Sequence, residues 1–299
     1  MFLLENSLEK KEARPTSAST RHWTRPVNSN RRNIVILGSA FAFLLAAPPA
    51  ARAIDEIQVY NAEIAEVGQW TLEQHLNYVA RGPVTADFAG GLIPNHSLNG
   101  TPELAYGVAD WWELGLYAPF AFDQQGRFFS DGFKVRTLFV TPDAEKRDFF
   151  YGVNFEFSYD TPMFQQTRFG AELRTIVGVR DSGFELIVNP IVDFAPGDHG
   201  ATTFAPAARI AHKFDKDFSL GVEYYADFGQ IGHFSPLNQQ QHNLFAVTDF
   251  KVGDLEIDFG VGHGFTPGSD RLIFKAIIGY AFPVSSPESR PEHWLKKIF

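Results

Sequence analysis

The stretch Tyr151-Gly152-Val153-Asn154-Phe155-Glu156-Phe157-Ser158-Tyr159 alternates without a break. Tyr151, Val153, Phe155, Phe157 and Tyr159 fall on one phase; Gly152, Asn154, Glu156 and Ser158 fall on the other. A period of two belongs to a β-strand, whose successive side chains point to opposite faces. The apolar phase starts and ends in Tyr, while the polar phase holds a carboxylate among small residues. These nine residues predict one strand between two unlike surroundings.

The pattern continues in both directions. Upstream, Trp70, Leu72, Leu76 and Tyr78 oppose Thr71, Glu73, His75 and Asn77. Leu104, Tyr106 and Val108 follow, then Trp112, Leu114, Leu116, Ala118, Phe120 and Phe122, then Phe133, Val135 and Phe139 against Lys134 and Arg136. Downstream, the apolar phase runs through Phe169–Val177, Phe184–Phe194, Phe204–Ile210, Phe218–Phe228, Leu244–Phe250, Leu255–Val261 and Leu272–Phe282. That makes about twelve runs of roughly 7–13 residues, against the ~9–11 residues that a strand needs to cross a bilayer.

Three features separate this pattern from a soluble sandwich. The apolar phases carry no Asp, Glu, Lys or Arg. The opposite phases mix acids, bases, Gly and Ala, as a crowded polar interior would. Aromatic rings cluster at the ends of the apolar phases, the arrangement of interfacial girdles on a membrane barrel. A sheet in lipid has no water to satisfy an edge and must close on itself. The expected fold is therefore all-β: a closed, up-and-down, antiparallel transmembrane β-barrel. Gln74, Pro190, Pro206 and His263 break the apolar phase, and the two prolines are expected at bulges.

The connections alternate in length. Tight turns fall at Ala109-Asp110, Arg180–Gly183, Phe214–Asp217 and Val252–Asp254, with 142–148 of moderate length on the same side. Longer loops fall at 81–102, 123–131, 160–166, 195–200, 229–240 and 265–270. Short turns on one side and long loops on the other match the periplasmic and external ends of such a barrel.

Arg31-Arg32 precedes an apolar run from Ile34 to Ala47 that ends at Ala51-Arg52-Ala53. This order reads as a signal peptide with a small-x-small cleavage site. The domain plan is a leader over 1–53, a periplasmic N-terminal segment over 54–69, a barrel over 70–282 and a periplasmic tail over 283–299. The pattern of Ile57, Val59, Ile64 and Val67 among Glu56, Glu63 and Glu66 is too short to separate a strand, a helix or a luminal plug.

The 299 residues include no Cys, which removes disulfides, thiolate metal sites and cysteine nucleophiles. The net charge is -9, and without the eight basic and three acidic residues of 1–53 it becomes -14. That balance argues against nucleic acid as a partner. Outer-membrane lipid, the barrel-assembly machinery and small solutes are the expected partners, in the bacterial outer membrane.

The stretch from Thr101 through Pro102-Glu103-Leu104-Ala105-Tyr106-Gly107-Val108-Ala109-Asp110-Trp111-Trp112-Glu113-Leu114-Gly115 to Leu116 resembles a hairpin of one barrel family. That family comprises outer-membrane channels named after the phenol meta-cleavage pathway, with a similar P-E-L-x-Y-G-x-x-D-x-x-E-L-G pattern. More broadly, residues 70–282 resemble Gram-negative outer-membrane barrels. The resemblance implies passage of small or hydrophobic organic compounds. One departure is the polar tail after Phe282, where many such barrels end on an aromatic.

The candidate luminal residues are Glu73, His75, Glu113, Arg136, Glu156, Glu172, Arg174, Arg209, Glu223, Asp258 and Lys275. They suit either a plug of ion pairs or a water-lined path whose acidic excess favours cations. The expected function is a narrow channel or transporter. The alternatives are an outer-membrane enzyme acting on lipid and a structural barrel without transport. No G-x-S-x-G occurs, and His233 with Ser235 is the nearest approach to a nucleophile and base. No two His stand at i,i+2 or i,i+4, so neither a metal nor a cofactor is expected.

Overall fold

The structure is a computed structural model and describes residues 56–283. The leader over 1–53, residues 54–55 and the tail from 284 lie outside the described residues. The barrel opens with β1 (Trp70–Arg81), β2 (Leu98–Ala109), β3 (Trp112–Tyr117), β4 (Phe120–Phe122), β5 (Phe128–Ser130), β6 (Phe133–Val140), β7 (Phe149–Tyr159) and β8 (Phe169–Asp181). It continues with β9 (Phe184–Asn189), β10 (Ile191–Phe194), β11 (Thr202–Phe204), β12 (Ala207–Asp215), β13 (Phe218–Asp227), β14 (Gln241–Val252), β15 (Leu255–Gly264) and β16 (Leu272–Ala281).

These sixteen segments make twelve antiparallel crossings, since β3/β4, β5/β6, β9/β10 and β11/β12 are each one interrupted strand. Two of the interruptions are the expected prolines, Pro190 and Pro206. Each has no N–H for the ladder, yet its carbonyl still accepts: from Thr175 N at 3.0 Å and from Ala226 N at 3.0 Å. The sheet closes because β1 pairs with both β16 and β2, through Leu72↔Tyr280 and Leu72↔Leu104.

One strand begins earlier than its sequence suggests. The loop expected over 81–102 ends before Leu98, where β2 starts. Gly100 and Pro102 occupy the outward phase there and hide the alternation, while Asn99 and Thr101 are buried on the inward phase. Register carries the strand through: Leu98 pairs with Tyr78 and Gly100 with Phe120.

The apolar phase faces outward along the wall. Leu114, Leu116, Val135, Phe155, Leu173, Leu186, Ile210, Leu220 and Val222 are all exposed. Rings gather at both ends of this belt. At the short-turn end, Trp70 lies 4.7 Å from Tyr106, Tyr280 lies 5.0 Å from Phe282, and Trp111, Trp112 and Phe139 stack together. At the long-loop end, Tyr159 lies 6.1 Å from Phe133 and 5.5 Å from Phe169, and Phe204 lies 5.9 Å from Phe228.

The interior is less polar than the sequence reading has it. Leu138, Val140, Phe150, Ile176 and Ile187 point inward near the short-turn end and pack with Val59, Tyr60 and Ala62. Phe245, Val247 and Ile273 pack around Ile57 nearer the long-loop end. These inward hydrophobics exist because a chain segment lies against them, and apolar surface leaves water when covered.

Candidate functional site: the charged lumen and its N-terminal segment

Residues 56–66 run inside the barrel, with Ile57, Val59, Tyr60, Ala62 and Ala65 buried. Backbone polar groups of such a segment need partners, and the wall supplies them. Tyr60 N donates to Asn189 Oδ1 at 2.7 Å, and Asn189 Nδ2 donates back to Tyr60 O at 3.0 Å, so one buried amide reads one residue in both directions. Ala65 N donates to Glu113 Oε2 at 2.6 Å. Arg174 Nη1 reaches Gln58 O at 3.3 Å, and Lys275 Nζ reaches Ile57 O at 3.3 Å. In the closed ring β8 and β9 lie half a circumference from β16, so the segment is held by opposite walls and crosses the lumen.

The segment leaves the lumen at the short-turn rim, where Val67 bridges Gly107 of β2. Gly68 N donates to Gly107 O at 2.8 Å and Gly107 N to Gln69 O at 3.0 Å. A Cβ on Gly107 would run into the carbonyl oxygens of Ala65 and Glu66, so only glycine permits this approach.

The eleven luminal candidates divide among ion-pair groups. On β1, β2, β3 and β6, Arg136 Nε donates to Glu103 Oε1 at 2.8 Å and Arg136 Nη2 contacts both that oxygen and Glu113 Oε1, the latter at 2.7 Å. Gly115 of β3 lies between Arg136 and Glu103, and its missing Cβ leaves room for the Arg136 side chain to cross the strand. His75 Nε2 stands 3.3 Å from Glu103 Oε2 and 3.6 Å from Glu73 Oε2. Tyr60 places its hydroxyl 2.8 Å from Glu56 Oε1 and 2.9 Å from the Tyr117 hydroxyl.

The second group spans β12 to β16. Arg209 pairs with Glu223 at 2.7 Å and with Asp249, and lies 3.7 Å from Asp258. Lys275 Nζ pairs with Glu223 Oε2 at 2.5 Å and Asp258 Oδ2 at 3.2 Å. On the remaining wall, Arg174 pairs with Glu172 at 2.8 Å while stacking 4.1 Å over the Tyr60 ring, and Lys134 pairs with Glu156 at 3.2 Å. Nine of the eleven candidates thus sit in ion pairs on the inner wall, and Glu73 and His75 adjoin them through the His75 imidazole. The sequence reading omits the contribution of Glu56, Tyr60, Tyr117 and Asn189. Their only sequence signal was the inward phase of Tyr117 and Asn189, since nothing local shows that 56–66 returns to the lumen.

Above the segment, toward the long loops, lies a cavity of about 240 Å³ floored by Glu56, Ile57 and Gln58. Its lining includes the acids Glu56, Asp131, Glu156, Asp160, Glu172, Asp193 and Asp227 against the bases Lys134 and Arg174, seven to two. Such a surplus raises the local concentration of cations. His233 is exposed and Ser235 half-buried in the loop after β13. No described helix is long and apolar enough to cross a membrane, which says nothing of crossing by strands.

Neither a protein-family model nor a curated protein sequence matches the chain. Among solved structures, an outer-membrane channel from Pseudomonas putida F1 superposes with a TM-score of 0.56 at 12% identity, over 76% of this chain and 100% of its own. The KdgM porin gives 0.49 at 10% identity and the NanC porin 0.48 at 10%, each over 71% of this chain and 99% of its own. At such identity, the likeness to the Pseudomonas channel is one of fold.

Proposed function

We propose that this chain is a channel of the bacterial outer membrane that passes small solutes, cations in preference to anions, and that residues 56–66 hold its lumen closed at rest. One observation carries the reading: a closed barrel wears a continuous apolar belt with rings at both ends around a charged interior. In water, a belt of that extent has no stable place, whereas acyl chains accept it and the rings settle at the headgroups. The likeness of fold to a known outer-membrane channel supports the same reading.

Twelve strands exceed the ~8 whose interior side chains fill completely and fall short of the 16–18 of open porins. A narrow path remains once the segment moves, and its walls are the ion pairs described above. The resemblance of the 101–116 hairpin supports small organic compounds as further solutes. The reading assigns no catalysis to the chain.

The test is a reversal potential. With the refolded chain in a planar bilayer under a potassium chloride gradient, the open-channel reversal potential is expected to have the sign of potassium preference. Chloride preference would remove the role given to the acidic vestibule.

A further inference from the structure

Three side chains from three different elements converge where the N-terminal segment meets the wall. Glu56 comes from the segment, His75 from β1 and Glu103 from β2, and one donor atom of each lies within 4.8 Å of the other two. We propose that this trio binds a divalent transition-metal ion of the zinc class, and that the ion ties the segment to the barrel.

The surroundings are built as outer shells of metal sites are built. Each carboxylate has one oxygen committed to a fixed donor: Glu103 Oε1 to Arg136, and Glu56 Oε1 to the Tyr60 hydroxyl at 2.8 Å. Such partners orient a ligand while leaving its other oxygen for the ion. Glu103 Oε2 is the oxygen turned toward His75.

The protein's own hydrogen bonds leave this spot incomplete. His75 Nε2 faces Glu103 at 3.3 Å and Glu73 at 3.6 Å, and its single proton cannot serve both well. His75 is 1% exposed, yet its Nδ1 has no hydrogen-bond partner. The charge is also unbalanced. Five carboxylates, Glu56, Glu73, Glu103, Glu113 and Glu172, face two permanent cations: Arg136 pairs with Glu103 and Glu113, and Arg174 pairs with Glu172 and interacts with Glu56. A dication answers that surplus.

The donor set selects the ion. One imidazole nitrogen with carboxylate oxygens suits zinc, cobalt or nickel, with water completing the shell. Calcium takes six to eight oxygens and is poorly served. Because Nδ1 lacks an acceptor, the site is expected to bind about 10- to 100-fold more weakly than one with a complete outer shell.

The probe is cobalt(II), whose ligand-field absorbance reports coordination directly. The full chain, folded in detergent and stripped with chelator, is titrated with cobalt(II) and then competed with zinc(II). One saturable equivalent is expected. His75→Gln is expected to abolish it, and Glu56→Gln to weaken it at least tenfold, with heat-modifiable gel mobility showing the barrel intact. His233→Gln, in an outer loop, is expected to change nothing. No cobalt absorbance from the intact barrel, or a signal lost in the His233 variant and kept in the His75 variant, overturns the site. Because the readout is metal binding rather than ion flow, the outcome stands apart from that of the channel reading.

Discussion

Lys275 has a completely enclosed side chain, and its ammonium meets Glu223 and Asp258 with the Ile57 carbonyl as a third acceptor. Charge taken out of water this far is tolerable only while its partners remain. Lys275→Ala takes the ammonium from Glu223 and Asp258, leaving Arg209 as the cation that still faces both, and is expected to destabilise the barrel by about 3 kcal/mol, the low end for a broken buried pair, read from denaturant unfolding in detergent. Asp270, in the loop between β15 and β16, presents a different case. It is 4% exposed, and burial followed by the charge of Asp87 pushes its carboxyl up to about 7 from 3.8. The folded loop therefore holds the proton more tightly than the unfolded loop. Its packing is strongest below about pH 4, weakens as pH climbs to about 7, and stays weakened above. Asp270→Asn removes this dependence. Amide exchange in the loop is expected to be slower in the variant than in the parent at pH 8, and equal at acidic pH.

Among the elements, the contact of the segment with β2 rests on Gly107. Gly107→Val is expected to push residues 65–66 off the wall and speed proteolysis within 56–68, while heat-modifiable mobility stays unchanged. The strands themselves were legible from periodicity, because a side chain facing outward and its neighbour facing the lumen obey opposite rules. Where legibility failed, small or cyclic residues held the outward phase, as Gly100 and Pro102 did at the start of β2. Pro190 and Pro206 announced their interruptions. The break at Ala118-Pro119 fell inside a run whose phase never changed, so alternation alone could not show it, and β5 (Phe128–Ser130) fell inside the loop expected over 123–131.

For the whole molecule, closure was legible because a sheet with an apolar outer belt, if it is to sit in lipid, allows no free edge. The charged inner wall was legible too, since every candidate lay on the inward phase. The course of 56–66 was not. Its anchors, Asn189 and Lys275, lie 129 and 218 residues away from their partners Tyr60 and Ile57. Local patterning carries no record of such pairings. For the same reason the spacing of histidines gave no sign that His75 would meet Glu56 and Glu103. If this segment closes a channel through the barrel, as proposed, its removal must raise the conductance. Planar-bilayer recording compares the full chain with one lacking 56–66. Small or infrequent conductance is expected for the first, and a larger, steady, potassium-preferring conductance for the second. Equal conductance from both, or none from either while the barrel is folded, would contradict the proposed closure.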